Sequence, residues 1–150
     1  MAKRKIITEG NPALTKVCRE TDITPKTIEL LDDLAETVID VDGAGLAAPQ
    51  VGILRRVAVL YVDDEVIELI NPVIIKHEGE SEEQEGCLSV PGVFGMVPRY
   101  EKIWVETLNR DNKRVVLELD GLKARAAQHE MDHLDGVLFT SKVTKFTEAQ

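Results

Sequence analysis

The chain has 150 residues, near the commonest size of one domain, and is 43% hydrophobic and 30% charged, which excludes a disordered chain and implies one core. Its net charge of −9, from 18 basic and 27 acidic side chains, argues against binding nucleic acid or an anionic membrane through a cationic face. With only Cys18 and Cys87, no secretory leader and no apolar run long enough to span a bilayer, the chain is expected to fold in a reducing compartment.

The first predicted element is a helix from Pro25 to Asp40. Thr24 can cap it, proline suits the first helical position, and Ile28, Leu31, Leu34, Ala35 and Val38 recur at helical spacing. Gly43-Ala44-Gly45 ends it. Short β-branched strands are expected at Val57–Val62, Val66–Ile70 and Val73–His77, with Asp63-Asp64-Glu65 as a hairpin turn. The acids Glu78, Glu80, Glu82, Glu83 and Glu85 read as a solvated connection.

A second β region is expected from Lys102, where Ile103, Val105 and Thr107 alternate with Trp104, Glu106 and Leu108. Asn109–Lys113 reads as a turn and Val115–Leu119 as the returning strand. Asp120-Gly121 then introduces a helix over Leu122–Leu134, ended by Gly136. Strands and helices without regular alternation give an α+β fold in one domain, residues 1–150.

That last helix carries His129-Glu130-Met131-Asp132-His133. Two histidines at i and i+4 share one face and can hold one metal ion, and Glu130 sits where a carboxylate can reach water at that ion. A downstream third ligand is not available: Phe139 stands where the longer histidine motif needs its third histidine, and Glu148 is the only acid after Asp135. The upstream candidates are Cys87, Cys18 and His77. Cys87 is preferred, because it lies in a polar Glu85-Gly86-Cys87-Leu88-Ser89 segment rather than an apolar run. One thiolate and two imidazoles would leave a tetrahedral ion one open position, the arrangement of a catalytic site. In the glycine-rich segment, Gln50 offers an amide donor for a developing oxyanion.

Gly43-Ala44-Gly45-Leu46-Ala47-Ala48-Pro49-Gln50, then Glu85-Gly86-Cys87-Leu88-Ser89, then Gln128-His129-Glu130-Met131-Asp132-His133-Leu134 resemble, in order, the three signature motifs of the peptide deformylases. The resemblance implies antiparallel sheets packed around a central metal-binding helix, and removal of the formyl group from N-formylmethionyl nascent chains with release of formate. It implies Cys87, His129 and His133 as ligands of one divalent ion, natively Fe(II), with Zn(II), Ni(II) or Co(II) able to replace it. Glu130 is then general base and acid, taking a proton from water whose hydroxide attacks the formyl carbon. Gln50 and the Leu88 N–H would receive the oxyanion, while Ala44, Gly45, Arg99, Leu122, Arg125 and Ala126 match positions around the substrate cleft. The implied partners are nascent peptides in the cytoplasm and the ribosome near its exit tunnel. Docking there through a longer C-terminal helix is opposed by Val143–Gln150, which has room for two helical turns at most. The competing reading of the same helix is a zinc endopeptidase, against which Phe139 speaks; a closed structural zinc domain is the non-enzymatic one.

Overall fold

The computed structural model describes residues 2–148. Helix α1 spans Pro25–Asp40, as the sequence predicts, with the Thr24 hydroxyl accepting the Thr27 N–H at 3.3 Å. Its stop differs in detail. Asp42 takes the left-handed conformation at φ 54°, and the Gly43 N–H closes the end on the Val38 carbonyl. The stripe Leu30, Leu31, Leu34 and Val38 packs on Leu46, Val57, Val59 and Ile70.

Those partners belong to a three-stranded antiparallel sheet of β1 (Gly45–Ala47), β2 (Val57–Val62) and β3 (Glu65–Ile70), in that order. Asp63 and Asp64 both have positive φ, the turn geometry whose twist matches a two-residue hairpin. The second sheet is built on one long hairpin, β4 (Val73–Cys87) with β5 (Val90–Leu108), then β6 (Arg114–Asp120).

Here the expected solvated connection is instead strand. Register runs unbroken through the acids, from Glu78 opposite Lys102 to Glu85 opposite Gly95. Backbone pairing to β5 outweighs the repulsion because Glu78, Glu80, Glu82 and Glu83 are exposed and their charges stay in water. For the same reason β5 begins at Val90 and not near Lys102. The C-terminal segment also departs from a helical tail: a 3-10 turn at Phe139–Lys142 leads to β7 (Lys145–Thr147), which pairs with Phe94–Met96 of β5. Of the tail Val143–Gln150, positions 149 and 150 lie outside the described residues.

Helix α2 covers Gly121–Leu134 and packs against strands of both sheets. Ala124 and Ala127 are fully buried there, among Ala47, Ala58, Leu60, Leu69, Ile103 and Val105, so the helix backbone approaches the strands closely. Its polar face is buried as well, including Arg125, Gln128, His129, Glu130 and His133. Such groups are sustained only by specific partners. Among the described residues, no helix is long and apolar enough to cross a membrane.

Candidate metal centre

One turn of α2 sets the rings of His129 and His133 5.1 Å apart, and the end of β4 brings Cys87 to them. One ligand atom from each of the three lies within 4.8 Å of the others, with Cys87 Sγ 3.3 Å from His133 Nε2. Four-coordinate geometry with metal–sulfur near 2.3 Å and metal–nitrogen near 2.0 Å requires separations of about 3.3 to 3.6 Å. The Cys87–His133 pair already stands at that separation, and all three donors lie close enough together to share one ion. Cys18 lies outside this cluster, in the core, where burial pushes its thiol up to about 11. His77 is elsewhere too, stacked on Tyr100 at 3.8 Å.

The outward nitrogen of His129 is held from β4. Its Nδ1 lies 2.9 Å from Glu85 Oε1. Arg99 grips both oxygens of that carboxylate at 2.9 Å, and Arg125 Nη1 donates to Oε2 at 2.6 Å. Burial pushes the Glu85 carboxyl up, but its hydrogen bonds to Arg99 and His129 outweigh this and hold it well below the usual carboxylate range. An ionised acceptor fixes a proton on Nδ1 and turns Nε2 toward the cluster, where it offers a lone pair once its own proton has left.

Burial also draws the His129 imidazole down, yet hydrogen bonds to Cys87 and Glu85 prevail and hold it at about 10. The cluster thus attracts positive charge, which a divalent cation supplies in place of that proton. His133, pulled by burial to about 3, stays neutral, as a ligand must. Phe139, nearly inaccessible, stacks on His129 with ring centroids 5.8 Å apart.

A cleft of about 460 Å³ opens on this cluster. Ala44, Gly45, Gln50, Cys87, Leu88, Leu122, Arg125, Ala126, His129 and Glu130 line it. Glu130 is almost wholly buried, and burial pushes its carboxyl up to about 7, which suits proton transfer near neutrality. It lies so close to β1 that a Cβ on Gly45 would come within 2.8 Å of its Cγ and Oε2. Gln50 Oε1 accepts the Ala47 N–H at 2.9 Å, and its Nε2 lies 3.7 Å from Cys87 Sγ.

Two arginines differ from their expected surroundings. Arg99 does not line the cleft; it is buried behind it, bridging Glu85 and Asp132. Arg125 reaches the cleft wall, but its guanidinium is spent on Glu85, the Val97 carbonyl and the Ser81 carbonyl. The residue that sequence reasoning missed is Glu85, which it merged into the acidic run. A signal existed: Glu85 belongs to the Glu85-Gly86-Cys87 segment, two residues before the cysteine, rather than to the body of the acidic run.

A family model described as polypeptide deformylase matches residues 3–149. The peptide deformylase of Acetivibrio thermocellus is 50% identical over 149 residues, covering 99% of this chain and 88% of that protein. Peptide deformylase 1 of Bacillus subtilis is 46% identical, over 97% of this chain and 93% of that one. The crystal structure of the Thermotoga maritima peptide deformylase superposes with a TM-score of 0.92 at 36% identity, covering 96% of this chain and 99% of the other.

Proposed function

This chain belongs to the polypeptide deformylase family of enzymes, and we propose that it hydrolyses the formyl amide of N-formylmethionyl nascent peptides to formate and a free amino terminus. Residues 1–150 act as one catalytic domain, with α2 as its metal-binding helix. The observation that carries the reading is that Glu130 and Gln50 face the same cleft as Cys87 and His129.

Cys87, His129 and His133 would hold one divalent ion; Fe(II) is the proposed native metal, with Zn(II), Ni(II) or Co(II) as substitutes, since a thiolate beside two imidazoles accepts each of these. Bound there, the ion supplies Lewis acidity and lowers the pKa of water toward neutrality. Glu130 takes the proton from water as its oxygen adds to the formyl carbon. The Gln50 amide and the Leu88 N–H donate to the formyl oxygen as it gains charge. Glu130 then returns the proton to the departing nitrogen, so that water is consumed and formate and amine are formed. Ala44, Gly45, Leu122 and Ala126 form walls for the first residue of the peptide. Arg99, behind those walls, and Arg125, at their edge, act by holding Glu85.

The proposed setting is the cytoplasm, where nascent chains emerge. A net charge of −9 favours brief encounters with the ribosome over lasting contact with its RNA. The test is incubation of the metal-loaded protein with an N-formylmethionyl tripeptide and, separately, with an unformylated peptide. Formate and new amine in equal amounts are expected from the first, and no product from the second. Absence of formate from fully loaded protein overturns the reading, and cleavage of an internal bond replaces it with an endopeptidase.

A further inference from the structure

Ser89 follows the cluster cysteine by two residues but does not line the cleft, and its side chain is fully inaccessible. A hydroxyl in such a place costs stability unless it is bonded. Its partner is Gln50: the amide Nε2 donates to Ser89 Oγ at 3.1 Å. Which way that amide faces is decided at its other end. The Ala47 N–H, which can only donate, meets the Gln50 oxygen at 2.9 Å, so the nitrogen must point toward Ser89 and Cys87. Nε2 carries two protons. One is taken by Ser89, and the second is directed to Cys87 Sγ at 3.7 Å, on the cleft wall that Gln50 and Cys87 share.

The backbones of both residues are pinned from a third segment. The Ile7 N–H donates to the Gln50 carbonyl at 2.8 Å, and the Glu9 N–H donates to the Ser89 carbonyl at 2.7 Å. The N-terminal strap therefore sets the two segments against each other, and the Ser89 hydroxyl sets the amide between them. We propose that Ser89 is a positioning residue, whose buried hydroxyl holds the Gln50 amide with its second N–H turned to the Cys87 side of the cleft, from where it can serve the formyl oxygen. Its catalytic consequence rests on the deformylase reading; the amide orientation does not. Removing the hydroxyl leaves only the Ala47 N–H and Cys87 Sγ to hold the planar amide against rotation about its last side-chain torsion, which is broad for an amide and moves oxygen and nitrogen together.

The test compares metal-loaded wild type, Ser89→Ala, Gln50→Ala and the double variant, with formate release as one readout and the Gln50 side-chain amide signals of the zinc-loaded protein as the other. The signals are identified as the pair lost in Gln50→Ala. Ser89→Ala is expected to move that pair, to lower kcat about tenfold with KM within about twofold, and to cause no further loss once Gln50 is alanine. An unmoved amide pair overturns the proposal, whatever the activity. So does an equal fold-loss from Ser89→Ala in both backgrounds, which marks a merely structural role. Wild type without formate release, but with an amide pair that shifts in Ser89→Ala, removes the deformylase reading and leaves the positioning intact.

Discussion

Glu85 on β4 and His129 on α2 meet at 2.9 Å, carboxylate oxygen to the ring nitrogen that faces away from the metal cluster. This contact ties the hairpin that ends in Cys87 to the helix that carries both histidines. The proposed ligands on these two elements are thereby held in register by a residue outside the Cys87–His129–His133 cluster.

Glu85→Gln keeps the shape of that side chain and removes its charge, leaving Arg99 and Arg125 buried without their shared counter-ion. Breaking a buried pair from one side costs about 3 to 5 kcal/mol. Loss of a partner behind a ligating histidine weakens metal binding about 10- to 100-fold. Urea unfolding and metal competition against a chelator should both register the change. An unaltered unfolding midpoint would show that the two arginines are satisfied elsewhere.

Much of the fold is legible because its signals are local. The α1 start follows from Thr24 and Pro25, with only the left-handed stop at Asp42 differing from the glycine expected, and the β2–β3 turn follows from Asp63-Asp64. The histidine pair needs only helical spacing. Glu85 was not legible as a buried anchor because its character is set by Arg99, Arg125 and His129, which lie 14, 40 and 44 positions away. Five glutamates in eight positions look alike until a partner strand selects one to face inward. The three residues of β7 have no periodicity to read either; they become strand because the edge at Phe94–Met96 accepts them.

Gly45→Ala tests the fit between β1 and the Glu130 carboxylate, the proposed general base. The new Cβ would stand 2.8 Å from Glu130 Cγ and Oε2, closer than real contacts allow, so the carboxylate must rotate away. A displacement of that order costs about 100-fold in turnover. Metal content is expected to hold, since the three cluster residues are not touched. Wild-type kcat in this variant would mean that Glu130 has a second productive position.

Gly52→Ala and Gly136→Ala separate two reasons for glycine. Both positions have left-handed backbone, φ 85° and 74°, but a Cβ at 52 meets nothing within 4 Å while one at 136 lands 2.7 Å from the Thr15 carbonyl oxygen. The first variant should lose about 1 kcal/mol for the conformation alone. The second should lose about 2 to 3 kcal/mol, because the turn after α2 must also move off the segment that precedes Cys18. Equal losses in denaturant titrations would show that this segment yields freely.

Asp33, only 2% exposed on α1, ties the start of the chain to the helix: Oδ1 accepts the Ala2 N–H at 2.7 Å and Oδ2 pairs with Arg4. Burial pushes its carboxyl up, but the Ala2 N–H and Arg4 outweigh burial and set it below the ordinary value. A group whose folded pKa lies below its unfolded one binds its proton more readily when unfolded. Its stabilising contribution is therefore complete above the unfolded pKa, about 3.9 for an aspartate, and disappears as pH falls through the lower folded value. Asp33→Asn, which keeps the side-chain oxygen but not the charge, should unfold at lower urea than wild type at pH 7. Toward pH 3 and below the gap should narrow, since wild type is then also losing the charge. A gap that stays constant across this range would assign the effect to shape and hydrogen bonding, and remove the Arg4 pair from the account of acid stability.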